Sequence, residues 1–188
     1  YNEKSPVNPR SPYAVAKTAA HFYVKNYRES YAVFASSGIL FNHSSVRRGE
    51  DFATRKITKT LAKIKLGKKD KLIMGDLSAF RDEGCSKDYV KAMHMMLNAS
   101  EPDDYIVSTG SGATIMDMAL YVCDLANIKF DDVYDIDPRF LRPSEVPYLL
   151  GDSSKIKNKL GWSPVYNWKS LLKEMYEYDI KEESKWKQ

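Results

Sequence analysis

The feature that most constrains the fold of this chain is the alternation of helical periodicity with short β-rich runs. The periodicity predicts helices at 12–28, 52–66, 86–98, 114–125, 154–160 and 168–185, and strands at 32–41, 71–74, 105–108 and 132–136. Helices and strands that alternate in this way build α/β domains around a mainly parallel sheet. A chain of 188 residues, 43% of them hydrophobic, is long enough for one such unit with a core of its own.

The same periodicity predicts which helix faces point inward. The helix at 114–125 carries a capping box, with Thr114 as the N-cap and Asp117 three residues later. The strand at 32–41 is expected to be buried. The residues predicted to face the core are Ile57, Leu61 and Ile64 in the second helix, Val90, Met93 and Leu97 in the third, and Ile115, Met118, Ala119, Val122 and Leu125 in the fourth.

Composition and targeting signals argue against several classes of protein. No apolar run is long enough to cross a membrane, and the first residues lack the basic start and apolar stretch of a secretory signal, so a soluble, cytoplasmic protein is expected. Cys85 and Cys123 show no C-x-x-C spacing, and the three histidines form no ligand pattern, so we expect reduced thiols and no metal.

A basic run lies between residues 55 and 71, although the net charge is only +4. Such a run can follow a nucleic-acid backbone, but the apolar stripe of Ile57, Leu61 and Ile64 favours a solvated helix face followed by a surface loop. We therefore expect no nucleic-acid partner. One of the eight basic residues remains a candidate for contact with an anionic ligand.

A tyrosine and a lysine stand four residues apart at a helix start, in Ser11-Pro12-Tyr13-Ala14-Val15-Ala16-Lys17. Ser11 is a good N-cap and Pro12 suits the first helical position. Residues four apart lie one turn from each other on the same face, so the Lys17 ammonium can lie near the Tyr13 phenol. The cation and the positive helix end both favour the phenolate, which would let Tyr13 act as a base. This spacing alone is weak, because many helices carry it by chance.

The sequence lacks the element that normally grips a dinucleotide. No G-x-G-x-x-G or G-x-x-G-x-x-G segment occurs, and the strands are too few for a complete nucleotide-binding sheet. The chain also opens on a proline-rich stretch, with Pro6, Pro9 and Pro12, and no preceding strand. We expect it to be the carboxyl half of a larger fold.

Several segments together extend the tyrosine-lysine motif. In order, they are N-P-R-S-P-Y-A-V-A-K at 8–17, G-I-L-F-N-H at 38–43, R-R-G-E at 47–50, T-R-K-I at 54–57, R-D at 81–82, K-D-Y-V at 87–90, R-P-S-E-V at 142–146, L-L-G-D at 149–152 and K-L-G-W at 159–162. In order and spacing they resemble the GDP-mannose 4,6-dehydratase family, from the first residue to about Asp179. The resemblance implies the carboxyl half of an NAD(P)-binding, Rossmann-like extended short-chain dehydrogenase/reductase.

For the chemistry, the resemblance implies an enzyme that converts GDP-mannose to GDP-4-keto-6-deoxymannose with tightly held NADP. Tyr13 would take the proton of the 4-hydroxyl, and Lys17 would hold the cofactor ribose. His43 and Arg48 match cofactor-contacting positions, with the arginine loop reaching a neighbouring subunit of a homo-oligomer, either a dimer or a tetramer. The glutamate and the threonine or serine that serve elimination in the family would lie upstream of Tyr1, so the 188-residue chain alone is expected to be inactive.

For the nucleotide-sugar, the resemblance assigns five residues from separate segments. A diphosphate requires cations, and a carboxylate can accept hydrogen bonds from a ribose diol. Residues 1–50 would close the Rossmann-like domain, and 51–188 would form mostly the substrate-binding region, with some segments returning to the Rossmann-like sheet. The assigned substrate residues are Asn42, Lys56, Arg81, Arg142 and Glu145.

The chain departs from the family pattern at two places. Ser44-Ser45-Val46 stands where the family usually has Glu-Ser-Pro, and Glu83 stands where a tryptophan is common. Two other functions stay open at this point. One is a sugar-nucleotide reductase or epimerase of the same superfamily, which shares the tyrosine and lysine; the other is a binding or assembly module without catalysis, since exposed sheet edges favour pairing with another chain.

Overall fold

The computed structural model describes residues 1–141 and 146–185. The helices of this part are α1 Pro12–Tyr31, α2 Ala53–Lys65, α3 Ser86–Leu97, α4 Ile115–Ala126, α5 Phe130–Val133, α6 Ser154–Leu160 and α7 Trp168–Ser184. The strands are β1 Ser37–Leu40, β2 Asn42–Ser44, β3 Leu72–Met74, β4 Phe80–Arg81, β5 Glu83–Cys85, β6 Asp104–Val107, β7 Ala113–Thr114, β8 Tyr134–Ile136 and β9 Tyr148–Leu149.

The strands form short ladders in which parallel pairing predominates. β1 pairs with β6, β2 with β5, and β3 with β8, all in parallel. β4 lies between β7, which is antiparallel to it, and β9, which is parallel. Parallel neighbours need crossover connections, and α2, α3 and α4 lie in the segments between the strands. β1 leads through the single residue Phe41 into β2.

The main core lies where α2, α4 and α7 pack together beside β3. Ile57 and Leu61 of α2, Met118 of α4 and Leu172 of α7 are fully buried there. An ion pair crosses the same helix interface, because Arg55 Nη1 lies 2.5 Å from Asp179 Oδ1 and both side chains are buried. The predicted inward stripe of α2 and the capping box of α4 are confirmed, with Leu125 only partly buried.

A second core cluster connects α3, β6 and α6. Tyr89 and Met96 of α3, Val107 of β6 and Trp162 pack against one another. Asp88 is also buried, because its Oδ2 accepts hydrogen bonds from the backbone of Val165 at 2.8 Å and of Tyr166 at 2.9 Å. The segment after α6 is thereby attached to the start of α3.

The predicted inward face of α3 is wrong. Val90, Met93 and Leu97 are 57%, 37% and 66% exposed, whereas Tyr89, Ala92 and Met96 point into the core. The spacing of apolar residues in α3 is compatible with either face pointing inward. The hydrogen bonds that Asp88 accepts from the backbone of Val165 and Tyr166 orient the face of Tyr89, Ala92 and Met96 toward the core. An aspartate that finds its hydrogen-bond partners only in the folded chain is invisible to hydrophobic periodicity.

Three further expectations need correction. The buried strand at 32–41 is only Ser37–Leu40 and is half-buried, because Ala32 ends α1 at φ 51° and within the described residues β1 pairs with β6 alone. The strand at 132–136 begins at Tyr134, since 130–133 is helical. In the basic run, Arg55 is buried against Asp179 and is not solvated. The predicted division near residue 50 stays a prediction.

Within the described part of the chain, no helix combines the length and apolar character needed to span a bilayer. In residues 1–141 and 146–185, no three His, Cys, Asp or Glu side chains lie close enough together to hold a metal ion.

Candidate active site

Polar contacts at two positions along helix α1 hold it against strands β1 and β6. Measured over the described residues, none of its 20 residues is buried. His21 Nδ1 lies 2.8 Å from Ser37 Oγ on β1, and Arg28 makes a bidentate pair with Asp104 of β6 at 2.9 and 3.0 Å. These contacts fix the orientation of the helix across β1 and β6. The amino-terminal turn is thereby oriented as well.

The first cavity, the Tyr13 cavity, lies between α1, the amino-terminal segment and β1. The helix begins as predicted, because the Ser11 side chain accepts a hydrogen bond from the amide of Ala14 at 3.1 Å and Pro12 occupies the first turn. Tyr13 is 73% exposed, and it lines this cavity of about 580 Å³ together with Lys17. Ile39, Leu40 and Phe41 provide an apolar wall opposite. The Tyr13 phenol and the Lys17 ammonium, one helical turn apart, thus line the same cavity.

The second cavity, the basic cavity, lies where β2 meets α2 and β4. It has a volume of about 250 Å³ and is lined by Asn42, Arg48, Lys56 and Arg81, among other residues. One of these residues was predicted to contact the cofactor and three to contact the substrate. The structure therefore brings four predicted site residues from four segments to one place.

The two cavities are neighbours. Phe41 lines the Tyr13 cavity, and Asn42, the next residue, lines the basic cavity. Leu149 lines the Tyr13 cavity and is paired across the β4–β9 ladder with Arg81 of the basic cavity. A ligand with one end in each cavity would pass over this boundary.

Each cation of the basic cavity is held in position by a neighbour. Arg48 Nη1 donates to the carbonyl oxygen of His43 at 3.1 Å, and its guanidinium lies 3.7 Å from the centre of the Phe52 ring. Lys56 Nζ lies 3.7 Å from the centre of the Phe140 ring, and burial, followed by the charge of Lys69, lowers the pKa of Lys56. Both cations therefore lie against aromatic faces, which attract them electrostatically.

Arg81 is anchored through its own strand. Its Nη1 donates to the carbonyl oxygen of Phe80 at 2.7 Å, and the residue is 9% exposed. The next residue, Asp82, is fully buried and accepts four hydrogen bonds. Oδ1 accepts from the amide and hydroxyl of Thr109 at 2.9 and 2.6 Å, and Oδ2 from the amides of Gly110 and Gly151 at 3.0 and 3.3 Å. This carboxylate joins β4 to two loops and fixes the position of Arg81.

Glu83 also lines the basic cavity, and it is buried. Ser44 Oγ donates to Glu83 Oε1 at 2.5 Å, and Ser44 Oγ lies 2.9 Å from Thr54 Oγ1. Burial raises the pKa of Glu83 to about 7, against the opposing effects of the Ser44 hydrogen bond and of Arg48 and Arg81. A carboxyl that titrates near neutrality inside a cation-lined cavity is a candidate functional group.

His43, predicted to contact the cofactor, borders neither cavity as the described residues define them. Its Nδ1 donates to the carbonyl oxygen of Phe41 at 2.8 Å, and its ring packs on Tyr89 with centroids 4.6 Å apart. It therefore braces the junction between β1 and β2. Arg142 and Glu145, both predicted for the substrate, lie outside the described residues.

Sequence reasoning missed the acidic and aromatic members of the basic cavity. Phe52 and Phe140 face Arg48 and Lys56, Asp76 accepts two hydrogen bonds from Ser78, and Glu83 lies at the centre of the polar network. The position of Glu83 was noted as a departure from a family pattern. Its location directly after Arg81 and Asp82 was the sequence signal that could have placed it in the site. Burial of its carboxyl, however, depends on strand pairing between β2 and β5.

A family model for GDP-mannose 4,6 dehydratase matches residues 1–175. The chain belongs to this family. Among members of the GDP-mannose 4,6-dehydratase family, it is 48% identical to GDP-mannose 4,6 dehydratase 2 of Arabidopsis thaliana over 179 residues, which is 95% of this chain and 48% of that protein. It is 44% identical to the GDP-mannose 4,6-dehydratase of Vibrio cholerae over 206 residues, 95% of this chain and 55% of that one. The chain thus spans about half the length of the curated relatives it matches.

Solved structures confirm the α/β fold. RMD from Pseudomonas aeruginosa, complexed with NADPH, superposes with a TM-score of 0.86 at 22% identity, over 97% of this chain and 59% of that one. The dTDP-glucose 4,6-dehydratase of Bacillus anthracis, in complex with NAD, gives a TM-score of 0.85 at 20% identity, over 99% and 57%. At these identities the likeness establishes the fold and not the activity.

The two residues predicted from the sequence to depart from the family pattern, Ser44 and Glu83, contact each other. The Ser44 hydroxyl donates to the Glu83 carboxyl. Both lie on the paired strands β2 and β5. The basic cavity of this family member therefore holds a carboxyl at residue 83.

Proposed function

We propose that this chain supplies the catalytic tyrosine and lysine and the nucleotide-sugar cavity of a GDP-mannose 4,6-dehydratase. Family membership supports the reaction class. The observation that carries the proposal is that two consecutive residues, Phe41 and Asn42, line the Tyr13 cavity and the basic cavity respectively. A nucleotide-sugar needs such a pair of adjoining spaces, one for reaction at the hexose and one for the diphosphate.

Tyr13 acts in this proposal as the general base for the sugar 4-hydroxyl. Its Oη takes the hydroxyl proton as carbon 4 is oxidised, and Lys17 lines the same cavity one helical turn away. General-base assistance of this kind contributes about 10²–10⁴-fold to the rate. Both side chains lie at the amino-terminal end of α1, which His21 and Arg28 fix across the sheet.

NADP is the cofactor of the proposal, and it supplies the acceptor and later the donor of the hydride. The Tyr13 cavity fits the nicotinamide-ribose end, because its volume of about 580 Å³ lies in the range of ligand sites and it combines an ammonium with an apolar wall. Lys17 would hold the ribose hydroxyls there. Arg48 and His43 stay the predicted contacts of the cofactor; Arg48 lines the basic cavity, and His43 contacts the carbonyl oxygen of Phe41.

The basic cavity binds the diphosphate in this proposal. Lys56 and Arg81 line it from α2 and β4, and the Arg48 guanidinium lies 3.7 Å from the centre of the Phe52 ring. Guanidinium groups match the geometry of phosphate oxygens. Asn42 contributes a side-chain amide at the boundary with the Tyr13 cavity, where the bond between the diphosphate and the hexose would lie. Arg142 and Glu145 complete the substrate residues of the proposal.

A homo-oligomer, either dimer or tetramer, in the cytoplasm belongs to the same proposal. Helix α1 exposes Tyr23, Tyr27 and Tyr31 by more than half, and their four-residue spacing places them on one helix face that a second chain would cover. Sedimentation analysis of the chain at several concentrations tests this, and a monomer at all of them would contradict it.

The test of the function has a binding arm and a catalytic arm. Calorimetry of the 188-residue chain should show binding of GDP-mannose in preference to UDP-glucose and dTDP-glucose. For catalysis, the chain replaces the matched part of the Arabidopsis relative, and formation of the 4-keto sugar is followed. In this chimaera, Tyr13→Phe should lower kcat by about 10²–10⁴-fold and leave NADPH binding unchanged.

The matched control is Tyr178→Phe, an exposed tyrosine on α7 that lines neither cavity within the described part of the chain, which should retain full activity. If Tyr13→Phe keeps kcat within tenfold of the parent chimaera, the assignment of the base is wrong. If the chain prefers another sugar nucleotide in the binding arm, an epimerase or reductase of the superfamily is the better description. Binding of no sugar nucleotide at all would favour a module without catalysis.

A further inference from the structure

Glu83 has an unusual setting for a glutamate in a cavity that binds anions. Its side chain is 5% exposed, and among the described residues its one hydrogen bond is that from Ser44. No described lysine or arginine lies within ion-pair distance of it, although Arg48 and Arg81 are near enough to act on its charge. An ionised carboxylate with so few partners is costly to bury, so the neutral acid is favoured.

The contact with Ser44 occupies one oxygen of Glu83 and leaves the other without a partner among the described residues. When Ser44 donates its single hydroxyl proton to Oε1 of Glu83, Thr54 is the donor in the contact between the two hydroxyls. Oε1 therefore acts as an acceptor. In the neutral acid the carboxyl proton then lies on Oε2, which has no partner among the described residues. Since Glu83 lines the basic cavity, this proton is available to a ligand there.

The charges of the cavity give a second reason for a neutral Glu83. Among the described residues, three basic side chains line the cavity, Arg48, Lys56 and Arg81, and so do three acidic ones, Asp51, Asp76 and Glu83. With every group ionised, these charges cancel. The pKa of Asp76 is lowered by the amide and hydroxyl of Ser78, so Asp76 stays ionised near neutrality. Protonation of Glu83 thus leaves a net positive lining for an anion.

We propose that Glu83 binds the anion of the basic cavity as a neutral carboxylic acid, whose Oε1 accepts the Ser44 hydroxyl and whose Oε2 donates its proton to a phosphate oxygen. The identification of that anion as the diphosphate of GDP-mannose rests on the proposed function. Binding and proton uptake by Glu83 are then coupled, because the ligand stabilises the protonated form. The negative charge of Asp82, the preceding residue, also raises the pKa of Glu83 and favours its neutral form.

The coupling gives affinity a defined pH dependence. With a free pKa of about 7, the dissociation constant should rise about tenfold between pH 6 and pH 8, since the chain must take up a proton to bind. The diphosphate of GDP-mannose does not titrate near neutrality and adds no pH dependence of its own. Sulfate shares this property and serves as a second probe, followed by the amide shifts of the residues that line the cavity.

Glu83→Gln is the deciding variant. Its amide oxygen can accept from Ser44 and its amide nitrogen can donate to the ligand, so it reproduces the neutral acid at every pH. We expect affinity at pH 6 within threefold of wild type and less than a twofold change up to pH 8. Asp76→Asn is the control, because it removes a charge from the same lining but leaves Glu83; it should keep the tenfold dependence.

The outcomes separate this inference from the proposed function. Equal pH dependence in wild type and Glu83→Gln, with GDP-mannose bound by both, overturns the role of Glu83 and leaves the function intact. Sulfate binding that weakens with pH in wild type and not in the variant, without binding of GDP-mannose, supports the role of Glu83 and removes the assigned ligand. If wild type binds neither anion at pH 6, the inference is refuted.

Discussion

Replacement of Asp82 by asparagine should destabilise the fold by about 2–4 kcal/mol, although it changes only one oxygen to an amide nitrogen. The carboxylate is fully buried and accepts from Thr109 through Oδ1 and from the amides of Gly110 and Gly151 through Oδ2. An asparagine has one acceptor oxygen. In either orientation of the amide, the NH₂ group faces N–H or O–H donors that the carboxylate oxygen had accepted from, and those donors lose their acceptor.

The less costly orientation determines the magnitude. With the amide nitrogen toward Gly110 and Gly151, two backbone N–H groups lose their acceptor, and Gly151 is buried. With the nitrogen toward Thr109, the hydroxyl of Thr109 can rotate and accept a hydrogen bond from it, so only the backbone N–H of Thr109 loses its acceptor. An unsatisfied buried donor costs about 1–3 kcal/mol, and hydrogen bonds to a charged acceptor exceed neutral ones by about 1 kcal/mol. The sum gives the range above.

Urea unfolding at constant pH measures this loss, with tryptophan fluorescence as the probe because Trp162 is 3% exposed in the native state. Thr109→Val removes one hydroxyl donor and leaves the three amide bonds, so a loss of only about 1 kcal/mol is expected. Asp135→Asn, at an exposed position of β8, should stay within about 0.5 kcal/mol of wild type. A loss below 1 kcal/mol for Asp82→Asn, or equal losses for Asp82→Asn and Thr109→Val, would refute the reasoning.

Two further predictions concern buried charges. Burial raises the pKa of Glu83 from 4.5 to about 7, so the folded chain binds this proton more tightly than the unfolded chain. The associated stability is present below pH 4.5 and is lost as pH rises through about 7; relative to Glu83→Gln, wild type should lose up to about 3 kcal/mol between pH 4.5 and pH 8. Urea midpoints of both proteins across this range measure the difference, and parallel curves would contradict it. Arg55→Met or Asp179→Leu alone should cost about 3–5 kcal/mol, because each leaves an uncompensated buried charge, whereas the double variant should lie within about 1 kcal/mol of wild type. Losses in the double variant that equal the sum of the singles would show that the pair is not coupled.

Much of the fold follows from local sequence signals. The start of α1 at Ser11-Pro12, the capping box of Thr114 and Asp117, and the apolar stripe of Ile57 and Leu61 are all found where the pattern places them. Each depends on interactions within one or two helical turns. The inward face of α3 and the burial of Arg55 were not predicted, since both depend on partners that are distant in sequence: the backbone near Tyr166 for Asp88 and the carboxylate of Asp179 for Arg55.

The candidate site divides in the same way. The sequence by itself determined the candidate acid/base pair of Tyr13 and Lys17, because four residues along a helix always place two side chains on one face. It also supplied the cations Lys56 and Arg81 as separate candidates. Only the tertiary structure decided that Arg48 lies with them and that Glu83 is buried among them, because parallel pairing of β2 with β5 brings Ser44 and Glu83 together from 39 residues apart. The environment that sets the charge of a carboxyl is made by such long-range neighbours, and no local pattern encodes it.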